Sequence, residues 1–234
     1  MAGETLRTRA VCIGIRPWSR TSHVVGWLTP SGKVMTVVKG AVRPKSFFLG
    51  QYDLNYTCDI VYYARARGEL HALRESSPVD MREYLRGDWR RLAFADYVRE
   101  LAAEHAPSGN GAAEWYELAV RTLDAAKGNV PLVQQFVAFE LEALALAGLR
   151  PDFSGFDRSR EWSAFSVESG AFCISGRCVR VSRETARFLT DPLGKVENRQ
   201  IPLDAARVIG VFYTYHLDSA AEVRRATLRM ISKN

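Results

Sequence analysis

Lys39, Arg43 and Lys45 lie in the run Lys39-Gly40-Ala41-Val42-Arg43-Pro44-Lys45-Ser46 with no acidic residue near them. Such an arm presents positive charge that nothing local neutralises, and an anionic polymer is the partner its chemistry suits. Arg16, Arg20, Lys33, Arg65 and Arg67 add charge from neighbouring segments, and Trp18, Trp27, Tyr52, Tyr56, Tyr62 and Tyr63 are interleaved with them. Single-strand binding needs both ingredients, cations to track phosphates and aromatic faces on which bases stack. The plainer alternative is that the cations solubilise loops while the aromatics fill a β-core, where strand aromatics commonly go.

Three other constellations carry less. Cys173-Ile174-Ser175-Gly176-Arg177-Cys178 offers one Cys-x4-Cys pair, whereas structural zinc takes four ligands, usually as two close pairs. The preceding stretch from Asp152 to Phe172 has no Cys or His, and His23, His71, His105 and His216 are scattered. No metal or other cofactor is therefore expected. Arg82, Arg86 and Arg90 recur every four residues along an expected long helix, with Arg91 beside the last. That row could clamp an acidic peptide or reinforce a nucleic-acid path, or form a solvated face balanced by Glu83 and Asp88. For catalysis, Ser22 and His23 are only sequence neighbours, and neither a Gly-x-Ser-x-Gly elbow nor a phosphate-cradling glycine loop occurs. Glu140 and Glu142 lie two apart on an expected helix and so point in different directions. The chain is not expected to be an enzyme.

The elements that must position these residues follow from pattern. With 234 residues, 47% hydrophobic and 25% charged, the chain is ordinary for a globular protein and long enough for two modest domains. Net charge is +6, and residues 1–80 hold eleven basic residues against six acidic ones, so the excess sits in the first third. Cys12, Cys58, Cys173 and Cys178 are expected to be reduced thiols. The N-terminal residues lack the apolar core of a signal peptide and no apolar run suits a bilayer, so a soluble cytoplasmic protein is expected, with no membrane partner. Arg9–Ile15, His23–Thr29, Lys33–Lys39, Asp53–Tyr63 and Glu69–Glu75 read as strands, and Leu54, Tyr56, Cys58, Ile60 and Tyr62 share one face of the fourth. Five strands in that length match a small OB-type barrel, although periodicity leaves the topology open. Ser76-Ser77-Pro78-Val79-Asp80 marks the expected boundary, giving domains at 1–78 and 79–234. Helices are expected over 81–105, 112–127 and 131–147, the last apolar nearly all round and so central. A hairpin insertion at about 152–181, a short helix near 183–189 and a final helical region over 203–231 complete an α+β, two-domain architecture.

Two stretches then resemble a known family. Thr29-Pro30-Ser31-Gly32-Lys33-Val34 through Lys39-Gly40-Ala41-Val42-Arg43-Pro44-Lys45-Ser46 is similar to the N-terminal signature of the RecO family of bacterial recombination mediators. Arg67-Gly68-Glu69-Leu70 with Leu73 and Glu75, and the helix ending Leu141–Asp152, resemble the family in the same order. The resemblance implies an OB barrel followed by a helical domain, binding to single- and double-stranded DNA, and annealing of complementary strands. It also implies action with RecR to load RecA onto DNA coated by single-strand-binding protein, whose acidic tail the helical domain contacts. Lys33, Lys39, Arg43 and Lys45 inherit the DNA-binding assignment by match. A different class of function, an RNA-associated OB-fold adaptor, shares the charge pattern because phosphate contacts do not read the sugar. Two departures stand out. Trp18-Ser19-Arg20-Thr21-Ser22 occupies a place where the family usually has Glu after a small residue. Of the family's two cysteine pairs, the first is missing around Gly155–Glu161 and Cys178 is out of register, so Phe165, Phe172 and Ile174 must hold a degenerate hairpin in place of zinc.

Overall fold

A computed structural model describes residues 4–65, 68–173, 178–217 and 221–233. Two compact units divide the chain, Met1–Asp88 with Val98–Asp124, and Trp89–Tyr97 with Ala125–Asn234. Among the described residues no helix is long and apolar enough to cross a membrane.

The first unit is built on a closed barrel of β1 (Thr5–Ser19), β2 (Ser22–Thr29), β3 (Gly32–Val38), β4 (Thr57–Tyr63) and β5 (Leu70–Asp80), in the order β1-β2-β3-β5-β4. Only the β3–β5 pairing is parallel, which is the OB-type arrangement. β1 is long because it serves two neighbours. Thr5 to Val11 pair with β4, and Val11 to Ser19 pair with β2. Register shifts between Cys12 and Gly14 and between Pro17 and Ser19 bend it around the barrel, as bulges do. Alternation fills the interior with Ala10, Cys12, Val25, Trp27, Val38, Tyr56, Cys58, Ile60, Tyr62 and Leu73. The fully buried Trp27 indole donates to Thr36 Oγ1 at 2.8 Å, so its one polar atom is satisfied.

Three sequence expectations change here. Leu54 does not share the core face, because Asn55 takes a left-handed conformation (φ 66°) and β4 begins only at Thr57, leaving Leu54 exposed. The residues expected to end the barrel, Ser76 to Asp80, instead continue β5 against β4, so a boundary after 78 falls inside a strand. Pro78 is tolerated near the strand end, beside a register shift in its pairing with Cys58. The first long helix starts at Trp89 rather than 81. A short 3-10 turn, Glu83–Leu85, precedes it, and Arg82 stands before that turn at φ 45°.

Arg82 explains the delay. Its side chain is 1% exposed, with Nη1 donating to Asn55 O at 2.6 Å and Thr57 Oγ1 at 2.9 Å, and Nη2 to Asp124 Oδ1 at 3.0 Å. A guanidinium buried among acceptors fixes the backbone that carries it, at the cost of an unusual dihedral. Asp124 closes α2 (Ala112–Ala125), whose Leu123 carbonyl also accepts from the Tyr84 hydroxyl, so this helix is fastened to the barrel. The helix α1 (Trp89–His105) contributes its residues from Val98 onward to the same unit, where Arg99 Nη1 donates to Ile13 O at 2.9 Å.

The second unit centres on α3 (Leu132–Leu146), where Gln134 through Glu140 are buried without interruption. Gly148 stops it as expected, at φ 74° with Leu149 N donating to Leu144 O. Around it stand α4 (Arg183–Thr190), α5 (Gln200–His216) and α6 (Ala221–Ile231). The expected two-stranded hairpin has a third member: β6 (Trp162–Ser166) lies between β7 (Ala171–Cys173) and β8 (Cys178–Ser182). Phe165 is fully buried, with the Phe153 ring stacked at 4.7 Å and those of Phe172 and Phe212 at 5.7 and 6.2 Å. Phe165 and Phe172 therefore anchor the insertion, while Ile174, given the same role, lies outside the described residues.

Glu140 is fully buried and accepts from Arg224 Nε at 2.6 Å, Arg224 Nη2 at 2.7 Å and the Tyr97 hydroxyl at 2.6 Å. Burial and the Glu140 charge hold the Tyr97 phenol well above its ordinary pKa. Gly210 makes room, since a Cβ there would meet Arg224 Nη1 at 2.4 Å. Removing one partner of such a buried pair strands the other charge. Arg224→Met is expected to cost about 3–5 kcal/mol in urea unfolding, and the triple variant Tyr97→Phe/Glu140→Leu/Arg224→Met to recover most of it. A single variant within about 1 kcal/mol of the parent contradicts this account.

The thiols supply a second expectation. Burial pushes Cys58 up to about 11 and Cys12 higher still, while Cys173 and Cys178 are only half-buried. At pH 8 the thiolate is the reactive form. A thiol reagent is expected to modify Cys173 and Cys178 in the native protein and the barrel pair only on unfolding. Equal rates at all four would overturn it.

Candidate nucleic-acid interface

No acidic residue occurs between Glu4 and Asp53, a span that carries Arg7, Arg9, Arg16, Arg20, Lys33, Lys39, Arg43 and Lys45. Two of these are engaged. Arg9 pairs with Asp59 across β1 and β4 at 2.9 Å, which lowers the Asp59 pKa. Lys33 Nζ donates to Ala103 O at 3.0 Å, so it is tied to the end of α1 although it remains exposed. Arg16, Arg20, Lys39, Arg43 and Lys45 are all exposed, and among the described residues none of them forms an ion pair. Arg65 is exposed after β4, and Arg67 lies outside the described residues.

The arm after β3 is not a free tether. Gly40 N donates to Ser22 Oγ at 3.2 Å and Val42 N to Thr21 O at 3.2 Å, stitching the arm to the β1–β2 turn that carries Arg20. Ala41 is buried in the barrel core and Phe48 packs against it. Between these anchors the backbone turns twice, Arg43 N to Gly40 O and Ser46 N to Arg43 O, leaving Val42, Arg43, Pro44, Lys45 and Phe47 outward. Gly40, at φ 67°, makes the first reversal, and Arg43 folds back over it. Arg20, Lys39 and Arg43 thus belong to one tied surface, with no counter-charge among the described residues.

The aromatic candidates divide sharply. Trp27, Tyr56 and Tyr62 are core, and Tyr52 is half-buried, edge-on to Trp27 with its hydroxyl 3.0 Å from His23 Nδ1; burial raises its pKa to about 12. Only Trp18, 62% exposed, and Tyr63, 43% exposed beneath Arg74, present their rings outward. Sequence reasoning passed over Phe47, which is 72% exposed. Its signal was the Phe47-Phe48-Leu49 run directly after the basic arm, in which alternation could not say which ring points in.

The arginines considered for a partner tail do not form one helical face. Arg82 is spent inside the barrel unit. Arg86 closes the 3-10 turn, exposed, with its guanidinium bonded to the Tyr56 hydroxyl and 3.9 Å from Asp53. Only Arg90 and Arg91 stand on α1, both half-buried, and Arg90 donates to Lys233 O at 3.3 Å. At the hairpin, a hydrogen bond with Cys173 raises the Cys178 pKa, followed in effect by desolvation. Among the described residues no group of three or more His, Cys, Asp or Glu side chains is arranged to hold a metal ion.

Comparison with known proteins gives a consistent result. The chain is 27% identical to the DNA repair protein RecO of Alkaliphilus metalliredigens over 176 residues, covering 72% of this chain and 70% of the relative. It is 29% identical to that of a Roseiflexus species over 189 residues, covering 78% and 65%. To the Anaeromyxobacter sp. (strain K) protein it is 34% identical over 149 residues, covering 63% and 59%. The matched stretch is thus less than two thirds of the length of the last two relatives. The model for the family described as Recombination protein O C terminal matches residues 86–225, more than half of the chain, and the chain therefore belongs to the RecO family.

Proposed function

We propose that this protein is a DNA-repair and recombination mediator that acts without catalysis of its own, binding single- and double-stranded DNA through the barrel. The observation that carries the reading is the set of exposed cations that form no ion pair among the described residues, Arg16, Arg20, Lys39, Arg43 and Lys45, on a backbone fixed by the arm's stitching to the β1–β2 turn. Names of relatives agree with it, each being a DNA repair protein. Phosphate contacts of this kind give affinity without sequence preference. Annealing follows physically, because a surface that screens two polyanions at once lowers their mutual repulsion.

The family resemblance extends the proposal to partners. The protein would act in the cytoplasm with RecR to load RecA onto DNA covered by single-strand-binding protein. An acidic tail of that protein would meet Arg90 and Arg91 on α1, with Arg82 no longer a candidate and Arg86 bonded to the Tyr56 hydroxyl. No metal is needed for any of these steps, and elemental analysis of purified protein is expected to find no stoichiometric zinc.

The direct test is DNA binding over a salt series. Each phosphate contact on a single strand contributes a slope of about 0.7 in log affinity against log salt. The triple variant Lys39→Ala/Arg43→Ala/Lys45→Ala is expected to bind more weakly at every salt concentration, with the slope shallower by about 2. Unchanged affinity and slope would exclude the arm from the interface, and tighter binding of RNA than of DNA would favour an RNA-associated adaptor. For the tail, Arg90→Glu with Arg91→Glu is expected to weaken binding of an acidic peptide, and unaltered binding contradicts that part.

A further inference from the structure

Besides Leu54, Tyr63, Val79 and Met81, the large apolar side chains exposed on the barrel unit lie on the segments whose cations form no ion pair among the described residues. Trp18 is 62% exposed, Phe47 72%, Leu49 51% and Val42 47%. In sequence they interleave with the charge: Arg16, Trp18 and Arg20 on one segment, and Lys39, Val42, Arg43, Lys45 and Phe47 on the other. The two segments are joined by the bonds from Val42 N to Thr21 O and from Gly40 N to Ser22 Oγ. Phe47 is held outward by its neighbour: Phe48 packs toward the core, and the two rings meet edge to face at 6.0 Å, so turning Phe47 in would displace Phe48. A ring carried on a backbone already tied down by hydrogen bonds loses less freedom when a flat ligand covers it, which favours binding.

We propose that Phe47 and Trp18 are stacking platforms for unpaired bases, so that this corner distinguishes single strands from duplex. The inference rests on the reading of the barrel as a DNA-binding surface and adds which residues sense strandedness. Charge complementarity selects the occupant. An apolar protein segment would leave Arg16, Arg20, Lys39, Arg43 and Lys45 unmatched, whereas a single strand offers phosphates to the cations and base faces to the rings. A duplex offers the same phosphates, but its bases are stacked on one another and closed to the rings. The usual oligonucleotide-binding places of an OB barrel include the β1–β2 loop, next to which Trp18 stands. The other platform stands on the arm, while on the barrel wall Trp27, Tyr56 and Tyr62 are buried and the Tyr63 ring lies beneath Arg74.

The test uses the full chain with three DNA probes: an oligothymidylate, an abasic strand of equal length and a duplex. Phe47→Ala and Trp18→Ala are both surface substitutions, so folding is not at stake. Each is expected to weaken oligothymidylate binding by about five- to a hundred-fold. Duplex affinity and the salt slope on every probe should stay as in the parent, and Phe47→Trp should restore binding. The parent should bind the abasic strand no better than the alanine variants do. Parent-like oligothymidylate binding by both alanine variants, or equal parental affinity for abasic and normal strands, overturns the stacking inference. If those results accompany loss of binding in the Lys39/Arg43/Lys45 triple variant, the DNA-binding reading stands and only the stacking falls. A parent protein that binds none of the probes at low salt brings down both.

Discussion

Exposed cations without counter-ions keep a defined arrangement on a protein surface only where uncharged contacts fix the backbone beneath them. Here those contacts are the burial of Ala41, the packing of Phe48 and two hydrogen bonds to the β1–β2 turn. They in turn need the bent β1, which pairs with β4 through its first half and with β2 through its second. The repulsion stored in the empty surface is small in salt water, where exposed charges are screened beyond roughly 8 Å. It is relieved whenever a polyanion is bound. On the function proposed, the closed barrel serves as the mount for a surface that a polyanion would complete.

Arginine has the opposite fate elsewhere in the molecule. Arg82 is buried against Asp124, Asn55 and Thr57, and Arg224 against Glu140 in a site that Gly210 leaves open. Both guanidiniums spend their donors on internal acceptors in fixed geometry, which suits Arg better than Lys. These two arginines organise their own units from within, whereas Arg16, Arg20 and Arg43 are exposed and form no ion pair among the described residues.

What could be read from the sequence follows from the range of each interaction. The face of Cys58, Ile60 and Tyr62 was legible because a period of two is local, and the end of α3 because Gly148 and Pro151 are neighbours. The positive arm was legible from the absence of acids nearby, and among the described residues none from farther along the chain pairs with it. β5 was misjudged where Ser76, Ser77 and Pro78 mimic a linker, since only pairing with β4 makes them a strand. Arg82 could not be assigned, because its carboxylate partner lies forty-two residues away and nothing local announces a left-handed arginine. Phe47 and Phe48 are the same residue type in adjacent positions, and only the three-dimensional packing separates a core ring from a surface one.

Hydrogen–deuterium exchange with and without a single-stranded oligonucleotide addresses the central claim most directly, because it locates the DNA without altering a residue. Backbone amides in solvent-facing turns exchange quickly unless a ligand covers or steadies them. The account predicts new protection over residues 16–22 and 39–48, weakening as salt is raised. Protection that leaves both stretches unchanged and appears only in residues 125–233 would contradict it.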